Sequence, residues 1–221
     1  MRKTRIMTRL IIFDLDGTLL NTIDDLAASV NHALRLNGYP EHPLSAYPFF
    51  VGNGVNKLLE RALPEEARNP ETVRRLRADF TAHYSEHNAD FTRPYPGIPE
   101  LIEALRERGA ELAVASNKYQ EATVKLIDRY FGAGTFRTVL GQREGVPVKP
   151  DPTIVRDILR ETGHRPEETL YVGDSGVDML TAAAAGVRSV GVTWGFRPRQ
   201  ELEANGAAHL IDRPEALLSL L

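Results

Sequence analysis

Cysteine is absent from the 221 residues, which excludes a disulfide, a thiolate nucleophile and a zinc–thiolate centre. Such a composition suits a reducing compartment, and we expect a cytoplasmic protein. Long apolar runs are also missing. Nothing approaches the roughly 18 consecutive apolar residues needed to span a membrane. The opening residues 1–9 are basic, but the apolar stretch behind them covers only Leu10 to Phe13 and ends in acids. No export signal is expected from that pattern, and Met7, just ahead of the apolar stretch, is an alternative start. An excess of either charge is missing too. Lys and Arg number 27 against 30 Asp and Glu, a formal net charge of -3, so nothing attracts nucleic acid or an anionic membrane in general. Internal repeats and low-complexity segments are not seen. What remains is ordinary globular composition, long enough for one sizeable core or a core with a small insert.

The first informative segment is Leu10-Ile11-Ile12-Phe13-Asp14-Leu15-Asp16-Gly17-Thr18-Leu19. A short apolar run ending in two carboxylates looks like a buried strand that delivers acids to the edge of a sheet. Residues i and i+2 of an extended chain point to the same side, so Asp14 and Asp16 can face one centre. Gly17 then allows a sharp turn and a close backbone approach.

From Pro96 onward, helices and strands alternate. Ile98 to Arg108, Glu121 to Phe131, Asp151 to Thr162 and Val177 to Ala185 read as helices. Glu111 to Ser116, Thr138 to Leu140, Thr169 to Asp174 and Val187 to Val192 read as strands. A last strand, Ala208 to Ile211, precedes a helix from Pro214 to Leu221. This order predicts an α/β fold, a doubly wound, mainly parallel, Rossmann-like sheet. Residues 21–93 differ. Leu26, Val30 and Leu34, then Val55, Leu58, Leu59 and Ala62, then Val73, Leu76, Phe80 and Tyr84 repeat at helical spacing with no strand among them. We therefore expect a helical cap at 21–93, inserted into a core of residues 1–20 and 94–221. The stretch Arg93 to Pro99 would be its hinge.

Ligands on open parallel sheets bind at the carboxyl ends of the strands. Here those ends carry Asp14 and Asp16, Ser116-Asn117-Lys118, and Gly173-Asp174-Ser175-Gly176 with Asp178 beyond. Val148-Lys149-Pro150 lies between. Four carboxylates crowded together repel by about 4 kcal/mol per pair at about 4 Å and an effective dielectric of about 20. A hard divalent cation and a lysine relieve that repulsion.

The set resembles the four motifs of the haloacid dehalogenase superfamily, over nearly the whole chain. The resemblance implies a Mg²⁺-dependent phosphatase. Asp14 would be the nucleophile that forms an aspartyl-phosphate. Asp16 would act as acid, then as base. Ser116 and Lys149 would hold the phosphoryl oxygens. Asp14, the Asp16 backbone carbonyl and Asp174 would bind the metal, with Asp178 supporting the metal shell or Lys149. Asp16 also separates phosphoryl transfer from dehalogenation, which needs no acid for a halide.

Phe49 to Val55, followed by Lys57 to Leu63, is similar to the cap segment of the bacterial phosphoglycolate phosphatase family, as are Pro94 to Gly97 and Gly191 to Phe196. The expected substrate is thus a small phosphorylated metabolite. Asn117, Gly52, Asn53, Gly54 and Lys57, or Arg61, would contact it. A pyrophosphatase or a sugar-phosphate mutase on the same scaffold is the nearest alternative. A non-catalytic regulatory module is the alternative of another class. The sequence leaves the oligomeric state open. Other signals are discounted. Gly173-Asp-Ser-Gly176 mimics a serine-protease segment, but nothing here reads as all-β. His83 and His87 share a helix face without a HExxH pattern, and Trp194 is expected to pack a loop on the core.

Overall fold

The computed structural model describes residues 8–221; most of the basic start, and Met7 with it, lies outside them. The apolar run forms β1 (Leu10–Phe13), fully buried. Its side chains alternate between two clusters. Ile11 and Phe13 enter one and Leu10 and Ile12 the other. Covered on both faces, the strand has no polar positions to alternate with, hence the unbroken apolar run.

The chain then turns through β2 (Leu20–Asn21) into four helices, α1 (Ile23–Leu36), α2 (Tyr47–Phe50), α3 (Val55–Ala62) and α4 (Pro70–His87). The stripes read from the sequence face inward. Leu26, Val30, Leu34, Leu58, Leu59, Ala62, Leu76, Phe80 and Tyr84 are buried in one cluster with Tyr47, while Val55 and Val73 are only partly covered. Helix α4 starts where its sequence says it should. The Asn69 side chain accepts the Thr72 N–H at 3.0 Å, and Pro70 occupies the first turn. The segment returns through β3 (Arg93–Pro94), which pairs antiparallel with β2. This ribbon, at the edge of the segment read as strand-free, was not foreseen. Two residues on each strand are too few to show a period.

Beyond it run α5 (Ile98–Glu107), β4 (Glu111–Tyr119), α6 (Gln120–Phe131), β5 (Thr138–Gln142), α7 (Thr153–Thr162), β6 (Thr169–Gly173), α8 (Gly176–Ala185), β7 (Arg188–Val192), α9 (Arg199–Ala204) and β8 (His209–Ile211). The main sheet has the order β5-β4-β1-β6-β7-β8, every pair parallel. Helices cover both faces, as expected of a doubly wound α/β sheet. Three details depart from the sequence reading. Helix α7 begins at Thr153, with the Asp151 carboxylate accepting the Thr153 N–H from outside at 2.9 Å. The short helix α9 was not foreseen. The terminal helix, Pro214–Leu220, is a 3₁₀ helix.

One buried acid ties the neck of the helical segment. Asp25, 1% exposed, accepts hydrogen bonds from the backbone N–H groups of Phe91 and Thr92 and from the Thr92 hydroxyl, at 2.7–3.1 Å. Replacing it strands buried donors. Asp25→Ala is expected to destabilise the protein by about 2–3 kcal/mol in urea unfolding. A loss below about 0.5 kcal/mol, the range of an ordinary surface change, would show that the clamp is dispensable.

Candidate active site

From β4 the chain runs outward to β5, then crosses to the other side of β1 and enters β6. Phe13 is in register with both Val114 and Val172. The residues just past the carboxyl ends of β1 and β6 and on the extended end of β4 therefore meet in one crevice. They include Asp14, Ser116 and Asp174, all buried. Gly17 permits the approach. Its φ is +86°, and an added Cβ would overlap the Asp174 carboxylate.

The ligand atoms of Asp14, Asp174 and Asp178 lie within 4.8 Å of one another. Lys149 faces them, its ammonium 3.0 Å from Asp14 and 2.8 Å from Asp178, and hydrogen-bonded to the Ala115 carbonyl and the Tyr171 hydroxyl. Burial pushes the Asp14 carboxyl up to about 7, against the pull of Lys149 and with the help of Asp178 and Asp16. Burial also pushes Asp174 well above the carboxylate range, reinforced by Asp178 and Asp14. For Lys149 burial acts downward, but Asp14 and Asp178 outweigh it and hold the ammonium well above its ordinary value. Three buried carboxylates thus share one cation, and that donor set suits a hard divalent ion. Asp178 has other duties. It caps α8 through the Ser175 N–H and hydroxyl, at 3.1 and 2.6 Å, as well as holding Lys149.

Asp16 points to a different part of the crevice. Its carboxylate accepts from the Thr22 hydroxyl at 2.7 Å and from the Lys118 ammonium at 2.9 and 3.1 Å. Lys118 was not assigned a role from sequence. It reaches this place because β4 runs three residues past Ser116, with a break in register between Ala115 and Tyr119. Its signal was the spacing, since Lys118 stands two residues after Ser116. Arg197, on the loop after β7, also lines the cavity and donates to the Val51 carbonyl at 2.9 Å. No sequence pattern marked it.

The cavity measures about 60 Å³ and is lined from the helical segment by Gly52, Gly54, Leu58, Phe80 and Tyr84, among others. Asn117 also lines it, but its amide is spent on the backbone. It donates to the Gly52 and Lys149 carbonyls and accepts the Lys149 N–H at 2.8 Å. Two of the residues expected at the substrate lie outside the cavity lining. Asn53 does not line the cavity and accepts instead from Arg61, which also donates to the Phe50 carbonyl. Lys57 is exposed and paired with Glu60 at 2.7 Å. On α3 the buried side is set by Leu58, Leu59 and Ala62, and Lys57 falls outside it. Elsewhere, Trp194 packs beside the core with its indole N–H on the Thr18 carbonyl. His83 stacks between His32 and His87. Among the described residues no helix is long and apolar enough to cross a membrane.

Residues 11–192 match the model of the haloacid dehalogenase-like hydrolase family. The chain belongs to that family, and it is a phosphoric monoester hydrolase. Its similarity extends to a phosphoglycolate phosphatase of Aquifex aeolicus, 34% identical over 96% of both chains. One of Pseudomonas putida is 34% identical over 96% of this chain and 79% of its own. A solved structure of a predicted phosphoglycolate phosphatase from Haemophilus somnus superposes with a TM-score of 0.89 at 29% identity, covering 96% of this chain and 97% of that one.

The acid cluster sets a pH dependence. Asp14 binds its proton more tightly folded (about 7) than unfolded (3.8). Its contribution is therefore full in acid and lost as pH rises through about 7. Glu168, held at about 2 by Arg165, acts in the opposite sense but below that window. In chelator, the melting temperature is expected to fall as pH rises toward and through about 7, and Mg²⁺ to restore it at the alkaline end. A melting curve indifferent to Mg²⁺ at the alkaline end would count against a cation at this cluster.

Proposed function

We propose that this phosphatase hydrolyses a small phosphate monoester, 2-phosphoglycolate above others, through an aspartyl-phosphate intermediate. The observation that carries this reading is the pairing of a buried Asp14 with Lys149 beside Ser116 and the acid cluster. The carboxylates of Asp14 and Asp174 and the backbone carbonyl of Asp16 would hold a Mg²⁺ ion. Bound there, that ion neutralises charge on the phosphoryl oxygens and fixes their geometry.

The chain's own residues supply the rest. An Asp14 oxygen attacks phosphorus in line with the ester oxygen, while Lys149 and the Ser116 hydroxyl stabilise the equatorial oxygens. The phosphorus–ester bond breaks, and the Asp16 carboxyl gives its proton to the departing alkoxide. Asp16, now a carboxylate, takes a proton from water. That water attacks phosphorus and breaks its bond to Asp14, releasing phosphate and restoring the nucleophile. Asp178 orients Lys149, and Lys118 and Thr22 orient Asp16.

We further assign residues 21–93 to a cap and residues 1–20 and 94–221 to the catalytic core. The separate apolar cluster of the helices and the narrow β2–β3 neck support this division. Closure of the cap would exclude bulk water from the intermediate. Phosphoglycolate is favoured by the names of the relatives.

Phosphate release from phosphoglycolate, pyrophosphate, sugar phosphates and nucleotides tests the assignment. The catalytic efficiency for phosphoglycolate should exceed every rival at least about tenfold, and EDTA should silence the enzyme until Mg²⁺ is added. An isomer in place of free phosphate would make it a mutase instead. Asp14→Asn should abolish turnover. Asp16→Asn should slow an alkyl ester by about 10²–10⁴-fold and an activated aryl ester far less. Equal losses on the two esters would remove Asp16 from the acid role.

A further inference from the structure

Tyr84 is fully buried on α4 and lines the cavity, its hydroxyl beside the Lys118 ammonium, which can only donate, so the phenol's own proton has no acceptor among the described residues. A buried phenol proton without an acceptor is costly, and such groups ordinarily find one. Its ring is fixed by stacking on Phe80, with centroids 5.1 Å apart. The Lys118 ammonium lies 4.9 Å from the ring centroid and is the cation that holds Asp16. The hydroxyl is therefore placed beside the Asp16–Lys118 pair, where in the reading above Asp16 meets the departing oxygen. Leu26, Leu58 and Phe80 supply apolar walls there. A ligand atom that suits this corner accepts a hydrogen bond and tolerates an adjacent ammonium, which describes a carboxylate oxygen.

We infer that Tyr84 is a specificity-determining residue, its hydroxyl donating to a carboxylate oxygen of the leaving group with Lys118 as the neighbouring counter-charge. The substrate class is then a phosphate ester whose alcohol carries a carboxylate within a carbon or two of the ester oxygen. This inference rests on the phosphatase reading above, which places the phosphoryl group at Asp14. It gives the helical segment a chemical means of choosing among esters that the strand-end residues treat alike. Burial holds the phenol above its ordinary range, so it stays a donor throughout the working pH range.

Binding separates this inference from turnover. Full-length Asp14→Asn protein with Mg²⁺ is titrated calorimetrically with 2-phosphoglycolate and with ethyl phosphate, which lacks the carboxylate, and both titrations are repeated with Tyr84→Phe added. Losing a hydrogen bond to a charged group should weaken phosphoglycolate roughly 10- to 100-fold, at least about tenfold more than ethyl phosphate. Equal weakening of both ligands, or of neither, overturns the inference. A crystal structure of the Asp14→Asn complex is the second measurement, and it does not depend on the phenylalanine variant folding. The Tyr84 hydroxyl should lie within about 3.2 Å of a carboxylate oxygen; a carboxylate bound elsewhere overturns the inference. If the wild type releases phosphate from neither ester while the binding difference persists, the phosphatase reading fails and the Tyr84 contact stands. If phosphate release is intact and the difference is absent, Tyr84 alone is refuted.

Discussion

The buried ammonium of Lys149 holds the acid crevice together. Asp14 and Asp178 are withdrawn from water on either side of it, at 3.0 and 2.8 Å, and neither has another formal cation in hydrogen-bond reach among the described residues. Without that ammonium, the desolvation of three clustered carboxylates would go largely uncompensated. Holding Lys149 in turn requires several elements at once. The Ala115 carbonyl comes from β4, the Tyr171 hydroxyl from β6 and the Asp178 carboxylate from α8. Asn117 fixes the Lys149 backbone from the other side. The parallel sheet and the charge balance are thus one constraint: the crevice is sound only if the strands are in register.

A second polar system, built around Asp16, stands beside the first. Lys118 and Thr22 hold that carboxylate. Lys118 belongs to the sheet and Thr22 to the turn that leads into the helices, so the second acid is anchored where the two layers meet. Asn117, donating to the Gly52 carbonyl, and Arg197, donating to the Val51 carbonyl, tie the same junction. The helical layer has its own apolar cluster, which Ala122 joins from the sheet side and which Tyr119 and Phe196 flank.

Much of the fold was legible in the residues. A strand buried on both faces reads as an unbroken apolar run, as Leu10 to Phe13 does, and helices with one buried face repeat every three or four residues, as α1 and α4 do. The strand ends were legible because a parallel sheet brings successive carboxyl termini to one edge, so polar residues found there are neighbours in space. The lining of the cavity was not. Tyr84 looks in sequence like one more member of an apolar stripe, and periodicity cannot tell a side chain packed in a core from one whose tip reaches a cavity. Lys57 shows the converse, a cation near a glycine-rich turn whose charge goes to Glu60 at the surface. Lys118 stood at an expected strand end without a role, although its place two residues after Ser116 marked it, and Arg197 was missed because a loop path sets its position and leaves no periodic trace.

The amino-acid sequence by itself determined the order of strands and helices, the insertion of a helical segment after β1, and which polar residues stand at the strand ends. These follow from local periodicity and from the rule that parallel strands point one way. Only the tertiary structure decided which charges share the crevice, that one lysine serves Asp14 and Asp178 while another serves Asp16, and which side chains of the helices face the cavity. Those outcomes depend on how elements far apart in the chain pack and on how burial raises the energy of an unpaired charge. Neither is a property of any short stretch of sequence.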